Sequence, residues 1–320
     1  MYNPFSKLKE FWKMSVDHSD GRRDYAVYIF LDLMYCRVRY GAYPDSYFFY
    51  QFHRFNRFVA SDFLLFRSQS KFWEKFNSQE AHRLFADKYL FNERFKEFIN
   101  RKYRLVKDSA DLREVMRWPE REVIVKPADG MCGRGIFLLD TADRTKMAEL
   151  NALLGRERFL VEQIVRNAAA LRRLNPYSLN TVRVITCIDR SGKVHVISAA
   201  LRMGSNISCV DNAHSGGIAC AVNIEHGIVD SYAGDLEGRK FIVHPLTGEK
   251  IIGLQIPHWD KMHAYLERLT RVVPDARYVG WDIAVTDEGF ELIEGNTRLD
   301  HVLMQGMHLV GCYRQIRSLL

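Results

Sequence analysis

The sequence has little of what a membrane-spanning or secreted chain would show. Its longest nearly uncharged run, Tyr25 to Cys36, is about a dozen residues, whereas a membrane-spanning helix needs roughly 20. The first residues mix aromatic and charged side chains and contain no apolar signal segment followed by a cleavage site. We therefore expect no transmembrane segment and a cytoplasmic location.

Cysteine is sparse, and so are familiar catalytic motifs. The six cysteines occur singly, without a C-x-x-C pair, which favours reduced thiols over a disulfide framework or a zinc site. Cys209, His214 and Cys220 are the set we weighed as metal ligands. No Ser/His/Asp or Cys/His arrangement points to covalent catalysis.

The composition is that of a folded protein with an anionic partner. The 320 residues are 47% hydrophobic and 27% charged, which suits two packed lobes and an extension. The net charge of +7 and the isoelectric point near 9.0 favour an anionic partner, but they do not separate nucleic acid from nucleotide or membrane phosphates.

The first hundred residues contain 27 of the 40 aromatic side chains, which is typical of helical packing. Apolar residues between Phe48 and Val59 recur at spacings of three and four and predict an amphipathic helix. The interleaved basic residues could instead form a surface for single-stranded nucleic acid. We do not favour nucleic acid as a partner, because acidic residues nearly balance the basic ones and no RNA-binding motif occurs.

From about residue 105 the pattern changes to alternating strands and helices. Strands are predicted at Glu122–Lys126, at Phe159–Val165, within 175–188 and at 193–203, and helices at Thr141–Leu154, at Pro257–Val273 and after Asn296.

A glycine-rich loop follows the strand that ends at Lys126. Gly130, Gly133 and Gly135 allow backbone amides to close on an anion, and Lys126 and Arg134 add positive charge. The loop is neither a P-loop nor a dinucleotide fingerprint, because no Gly-Lys-Ser/Thr follows and the G-x-G-x-x-G order is missing. An ordinary glycine turn is the competing interpretation.

Polar residues interrupt two of the later strands. Glu162 and Gln163 lie in the apolar run FLVEQIV, and this strand end beside a glycine loop could bind adenine or ribose. Arg183 shares a strand face with Thr181, while Asn180 lies on the other face. An arginine inside a sheet needs a carboxylate partner or suits two-point capture of a phosphoryl group.

The stretch YVGWDIAVTDEGFELIEGN, residues 278–296, holds the most specific pattern. Two short β-runs flank a turn with glycine at its end, so a hairpin with Thr286 opposite Phe290 is predicted. This register places Asp282 opposite Glu294 and turns Asn296 to the same face. Because facing carboxylates repel, the pair predicts a bound cation, a buried basic residue or a shared proton between them. A solvated acidic hairpin edge is the alternative.

In order and spacing, a set of these residues resembles the ATP-grasp superfamily. The set consists of Lys88 in FADKYLF, Lys126 before DGMCGRG, Glu162 in VEQIV, Arg183 in NTVRV, Asp282 in GWDIA, and Glu294 with Asn296 in IEGN. More narrowly, the chain is similar to the sugar-transfer-associated ATP-grasp group, also called α-L-glutamate ligase-related proteins, over most of its length, including YGAYPDSYFFY, DNAHSGGI and HPLTGEKIIG. It departs from the usual small, glycine-containing run after E-G-N, where it has TRLDHV.

The resemblance implies an α+β fold of the ATP-grasp type, in which two α+β lobes clasp ATP, preceded by a helical, aromatic-rich N-terminal region. The implied divisions are the helical region at 1–84, the lobe with the glycine-rich loop at 85–165, and the lobe with the metal and substrate site at 166–320.

ATP and Mg²⁺ are the cofactors that the resemblance implies. The residues implied to bind ATP are Lys88, Lys126, Gly130, Gly133, Arg134, Gly135, Glu162, Gln163 and Ile164. Those implied to bind Mg²⁺ are Asp282, Glu294 and Asn296, whose hard oxygen donors suit this ion.

The implied activity is an ATP-dependent carboxylate–amine ligase that forms an acyl phosphate, with Lys126 and Arg183 stabilising the transferring phosphoryl group. The family name points to cell-surface sugar or polysaccharide biosynthesis, with small or sugar-linked carboxylate and amine substrates. Two alternatives stay open: a kinase that phosphorylates a sugar or other hydroxyl compound, and a non-catalytic module for an anionic polymer. Candidate substrate contacts are Asn180, Arg202, Asp211, Asn212, His214, Arg298 and His301, with His214 also considered as a general base.

Overall fold

A computed structural model describes residues 4–55, 57–128, 135–154, 156–207 and 216–320. Within these ranges the chain forms α-helices, two 3₁₀ turns and two antiparallel sheets of four and seven strands. This mixture confirms the predicted α+β class. No helix in these ranges is long and apolar enough to cross a membrane.

Short helices fill the first hundred residues. Their bounds are α1 Pro4–Asp17, α2 Arg23–Tyr40, α3 Pro44–Phe49, α4 Arg57–Ala60, α5 Phe66–Phe76, α6 Gln79–Ala86 and α7 Lys88–Arg94, with 3₁₀ turns at Phe52–Arg54 and Lys96–Phe98. The predicted single helix between Phe48 and Val59 is wrong. The helical path ends after α3, since Gln51 has a left-handed backbone with a φ of 54°.

The four-stranded sheet has the order β1-β4-β2-β3. Its strands are β1 Tyr103–Val106, β2 Glu122–Pro127, β3 Phe137–Asp140 and β4 Phe159–Gln163. Helices α8 (Ser109–Val115) and α9 (Arg144–Leu153) pack against it through a core that includes Leu112, Val125 and Leu150. The strand predicted from Glu122, the strand predicted from Phe159 and the helix predicted from Thr141 are confirmed with slightly different ends.

The seven-stranded sheet has the order β11-β10-β5-β6-β7-β8-β9. Its strands are β5 Thr181–Ile188, β6 Val194–Met203, β7 Ile218–Val222, β8 Ala233–Gly234, β9 Lys240–Phe241, β10 Tyr278–Val285 and β11 Phe290–Asn296. Helix α10 spans Ala169–Arg172, and α11 (Trp259–Thr270) covers the sheet face that carries Val184 and Trp281. The strand predicted at 193–203 and the helix predicted at 257–273 are confirmed.

The chain ends in two helices rather than the single one predicted. Helix α12 spans Val302–His308 and α13 spans Tyr313–Arg317. Leu309 between them has a φ of 52°, and a Cβ on Gly311 would lie 2.2 Å from the backbone of Asp62. This contact with the N-terminal region turns the chain away from a continuous helix.

The hairpin β10–β11 reaches the predicted pairing by another route. At the turn Val285, rather than Thr286, lies opposite Phe290, so that part of the predicted register is wrong. A one-residue bulge in β11 then corrects the offset, and Asp282 lies opposite Glu294 as predicted. The bulge therefore determines which side chains meet at the end of the hairpin.

The N-terminal helices share a core with the seven-stranded sheet. Phe72 and Phe76 of α5 pack in one cluster with Ile185 and Tyr278. The side chain of Asn77 adds two hydrogen bonds of 2.9 Å, one with the backbone N–H and one with the carbonyl of Tyr278. The predicted divisions of the chain are not separate bodies at this point.

The described cysteines match the predicted thiols. Cys36, Cys187, Cys220 and Cys312 are free. Cys209 and His214, which were weighed with Cys220 as metal ligands, lie outside the described residues.

Candidate active site

Two arginines hold the first carboxylate of the hairpin. Arg183 on β5 lies opposite Asp282 and contacts both carboxylate oxygens through its Nε and Nη2 atoms. Arg202 on β6 donates from Nη1 to Oδ2 of Asp282 at 2.9 Å. Burial alone raises the pKa of Asp282, but the two guanidinium groups outweigh it and lower that pKa.

The second carboxylate has no such clamp. Burial and the neighbouring Asp282 raise the pKa of Glu294, while Lys88, Arg183 and Lys126 act in the opposite direction. Among the residues that the structure describes, none is hydrogen-bonded to the side chain of Glu294 or of Asn296, two positions along β11. These oxygens are the donors that a cation at the hairpin would meet.

Lys126 stands at the end of β2, where the glycine-rich loop begins. Its ammonium group contacts Glu162, which also accepts hydrogen bonds from Asn92 (2.7 Å) and Arg101 (2.9 Å). Burial alone raises the pKa of Glu162, yet Arg101 and Lys126 outweigh burial and hold that pKa well below its usual range. Glu162 therefore holds Lys126 in place as an ionised, buried carboxylate.

Lys88 begins α7, and the local sequence fixes its backbone. The Oδ1 atom of Asp87 accepts hydrogen bonds from the backbone N–H groups of Tyr89 (2.9 Å) and Leu90 (3.0 Å), which caps the helix. The N–H of Lys88 donates to the carbonyl of Ala128 at 3.2 Å. The two lysines are thus brought together at the entrance of the glycine-rich loop.

Gly295 allows the lysine helix to approach the acidic strand. A Cβ at this position would lie 2.6 Å from a ring carbon of Phe85 and 2.8 Å from one of Phe91. The rings of α6 and α7 therefore rest directly on the backbone of β11, between Glu294 and Asn296.

Arg101 is a residue of the site that the sequence did not reveal. Its guanidinium is buried between Glu162 on β4 and Glu291 on β11, with a distance of 2.8 Å to Glu291 and 2.6 Å to the carbonyl of Leu292. It joins the sheet that carries Lys126 to the strand that carries Glu294. The only signal in the sequence was an arginine just before an apolar run, which has no specificity.

Several predicted site residues lie outside the described part of the chain. These are Gly130, Gly133 and Arg134 of the glycine-rich loop and the substrate candidates Asp211, Asn212 and His214. Gly135 follows directly after the first of these gaps, with a φ of 72°.

The two residues predicted beside Glu162 in ATP binding lie at the end of β4. Gln163 accepts a hydrogen bond from the N–H of Lys102 at 2.6 Å and contacts Glu120, and Ile164 is half-buried.

Two substrate candidates are enclosed and already satisfied. Asn180 is fully buried and donates to the carbonyls of Leu171 (2.9 Å) and Asn175 (3.1 Å). His301 is buried against the hydroxyl of Tyr278, and burial lowers its pKa to about 3. We correct both assignments, because neither side chain has a hydrogen-bonding group to offer a substrate. Arg298 is exposed, and Arg202 points at Asp282.

The donor set fits Mg²⁺ with phosphate. The described ranges contain no cluster of three His, Cys, Asp or Glu side chains suited to a metal. Asp282, Glu294 and the amide of Asn296 offer only oxygens, which suits an ion that keeps water and phosphate in its coordination sphere. The lysines and arginines beside them supply the charge that phosphates require.

A separate cavity of about 880 Å³ lies on the α11 side of the seven-stranded sheet. His195, Trp259 and Leu319 are among the residues that line it. None of the acidic or basic residues of the hairpin site does so, and the cavity therefore adds nothing to that site.

Comparison with known proteins agrees with this arrangement. The family profile described as sugar-transfer associated ATP-grasp matches residues 67–312. No curated protein matches the sequence.

The solved structures similar to this chain are distant in sequence. N5-carboxyaminoimidazole synthetase from Staphylococcus aureus with ADP is 11% identical (TM-score 0.47, 71% of this chain and 48% of that chain). The ATP-grasp ligase PsnB with Mg and ADP is 15% identical (0.45, 76% and 60%). D-alanyl-alanine synthetase A from Vibrio cholerae is 16% identical (0.47, 73% and 63%). The chain spans about half the length of the first of these.

Proposed function

Because the chain belongs to the sugar-transfer associated ATP-grasp family, we propose that it is an ATP- and Mg²⁺-dependent carboxylate–amine ligase that works through an acyl phosphate. The observation that supports this proposal is the facing pair Asp282 and Glu294, with Lys88, Lys126 and Arg183 close enough for their charges to affect it. Oxygen ligands and cations gathered at one point suit the transfer of a phosphoryl group.

Each part of the site has a separate task in this proposal. Asp282, Glu294 and Asn296 would hold Mg²⁺, which supplies charge neutralisation at the phosphate oxygens of ATP. Lys88 and Lys126 bind those phosphates, and Glu162 keeps Lys126 oriented. The glycine-rich loop closes over them through its backbone amides.

Arg183 stabilises the charge that develops during transfer. A substrate carboxylate oxygen attacks the γ-phosphorus of ATP, the bond to the leaving ADP oxygen breaks, and an acyl phosphate forms. An amine then attacks the acyl carbon and releases inorganic phosphate. The arginine now shares its donors with Asp282, so it can turn one of them to the phosphoryl oxygens.

The substrate side of the proposal is coarser. Small or sugar-linked acids and amines in polysaccharide biosynthesis, handled in the cytoplasm, follow from the family's description. Arg202 and Arg298 are the described residues proposed to contact them, together with Asp211, Asn212 and His214.

The test is ATP turnover by purified protein with Mg²⁺ and pools of carboxylates and amines. Glu294→Gln removes one charge from the metal site and should lower turnover by at least about a hundredfold. Glu288→Gln, in the exposed turn of the same hairpin, serves as the matched control and should turn over normally. Normal turnover by Glu294→Gln would exclude the hairpin as the metal site.

The products decide between the ligase and the kinase. Release of ADP and free phosphate only when both an acid and an amine are present supports the ligase. ADP together with a stable phosphate ester identifies a kinase that uses the same residues.

A further inference from the structure

Helix α2 presents an apolar face that no described part of the chain covers. Five large side chains, here called the outer stripe, lie on a single arc of this helix and are 37% to 75% exposed: Val27, Tyr28, Leu31, Tyr35 and Val38. The opposite arc, with Ile29 and Leu33, is fully buried in the N-terminal core.

The outer stripe carries no charge over about three helical turns. Between Tyr25 and Cys36 the only charged residue is Asp32, which is buried and accepts a hydrogen bond from the hydroxyl of Tyr47 at 2.9 Å. A helix that is apolar all round is normally buried all round. This one is buried on one side only, which marks the other side as an interaction surface.

The neighbouring helix extends this surface. Leu8, Trp12 and Val16 recur every four residues on α1 and are exposed. The ring of Trp12 packs edge-on against Phe30 of α2, with 5.7 Å between centroids. Two adjacent helices therefore offer aliphatic and aromatic side chains to the same side of the molecule.

The charges at the border of the outer stripe are positive at both ends of α2. Arg22 and Arg23 lie exposed at the start, and Arg37 and Arg39 lie at the end. The exposed acidic residue of this helix, Asp24, is paired with Arg22 at 3.0 Å. A second copy of the chain would bring arginines against arginines in either a parallel or an antiparallel arrangement, so this border disfavours self-association and favours an anionic partner.

A cavity at the end of the outer stripe suits a phosphate with an attached apolar chain. It measures about 650 Å³, lies between α2 and α5, and combines the guanidinium groups of Arg37 and Arg67 with the apolar side chains of Val38 and Phe66. Val38 belongs to both the cavity and the outer stripe. Anionic and apolar groups of one ligand can therefore be bound side by side.

We propose that this face docks onto an anionic phospholipid surface, with the outer stripe in the apolar boundary layer and headgroup phosphates at Arg37 and Arg67. Exposed Trp, Tyr and Leu next to arginine and lysine is the composition of helices that lie in a membrane interface without crossing it. The docking is independent of the proposed catalytic site.

The test is co-sedimentation of the full chain with vesicles of phosphatidylcholine, alone or mixed with phosphatidylglycerol. The native protein should bind the mixed vesicles, less so at high salt and less so to phosphatidylcholine alone. Leu31→Glu with Val38→Glu should weaken binding at least about tenfold, since two apolar contacts become charged. Ile242→Glu with Val310→Glu replaces residues of similar exposure (66% and 63%) elsewhere and should bind as the native protein does.

Two further measurements keep the result interpretable. Arg37→Glu with Arg67→Glu should abolish the preference for phosphatidylglycerol, and circular dichroism should show that every variant is folded. The proposal is overturned if the native protein stays in the supernatant, or if Leu31→Glu with Val38→Glu binds unchanged. It is also overturned if sedimentation velocity without vesicles shows a native dimer that the same variant converts to a monomer, because the face would then bind a second copy.

Discussion

Arg101 shows how one buried side chain can link two parts of the molecule. Its side chain is only 4% exposed and lies between two carboxylates that are equally enclosed, Glu162 and Glu291. Asn100 helps by donating to Glu291 from its backbone N–H (2.9 Å) and from its side chain (2.9 Å). Burial alone lowers the pKa of Arg101, but the two carboxylates outweigh it and raise that pKa.

We expect Arg101→Met to be strongly destabilising. It leaves Glu162 and Glu291 as buried carboxylates without their shared cation, which costs about 3–5 kcal/mol of the free energy of unfolding. Urea unfolding of the native and variant proteins measures this loss. Arg104→Met is the matched control on β1, because Arg104 pairs with Asp111 at the surface and should cost less than about 1 kcal/mol. Equal losses in the two variants would show that Arg101 is not the link.

At the scale of elements, the site depends on how closely α6 and α7 approach β11. Gly295→Ala adds a Cβ within 3 Å of two rings, so Phe85 and Phe91 must move and carry Lys88 with them. We expect a loss of about 1–3 kcal/mol in stability. We also expect a raised KM for ATP if Lys88 binds its phosphates. Unfolding and steady-state kinetics measure the two effects.

Gly234→Ala is the control for this prediction. A Cβ on Gly234 meets only the carbonyl oxygen of Arg239, at 3.8 Å, which is an ordinary contact. If the Gly295 variant is as stable as the Gly234 variant and has a native KM, the close approach has no consequence for the site.

The hairpin shows what the sequence could and could not predict. Period-two alternation and the glycine turn were enough to predict both strands and the pairing of Asp282 with Glu294. The bulge in β11 was not predictable, because nothing in the local sequence distinguishes an extra residue in one strand from a shifted turn. The pairing was therefore predicted correctly, although the register at the turn was wrong.

Long-range partners were the other limit. Burial of Arg183 beside Asp282 follows from strand order, and an arginine inside a strand did suggest a carboxylate partner. The roles of Arg101, Asn180 and His301 depend on residues that are distant in sequence or on a fully enclosed loop, which periodicity does not report. The helix predicted across Gln51 failed for the same reason, since aromatic packing imposes a left-handed residue there.

At the scale of the whole molecule, the first helices and the last twenty residues form one packed unit. Gly306 of α12 lies under the ring of Phe49, since a Cβ on this glycine would be 2.1 Å from that ring. Next to it, Gln305 is buried, accepts a hydrogen bond from the N–H of Leu64 (2.7 Å) and donates to its carbonyl (3.0 Å). The N-terminal region is thus anchored to the chain segment that follows the hairpin.

We expect Gln305→Ala to destabilise this unit and with it the whole fold. The carbonyl of Leu64 keeps a second donor, the amide of Gln69 at 3.1 Å, but its N–H is left buried without a partner, which costs about 1–3 kcal/mol. Gln315→Ala, on the exposed side of α13, should change stability by less than about 0.5 kcal/mol. Urea unfolding followed by tryptophan fluorescence and by far-ultraviolet circular dichroism should give one coincident transition, shifted only in the Gln305 variant. Two separated transitions, with only the first one shifted, would instead mean that the N-terminal helices unfold on their own and that their shared core with the sheet contributes little to the stability of the site.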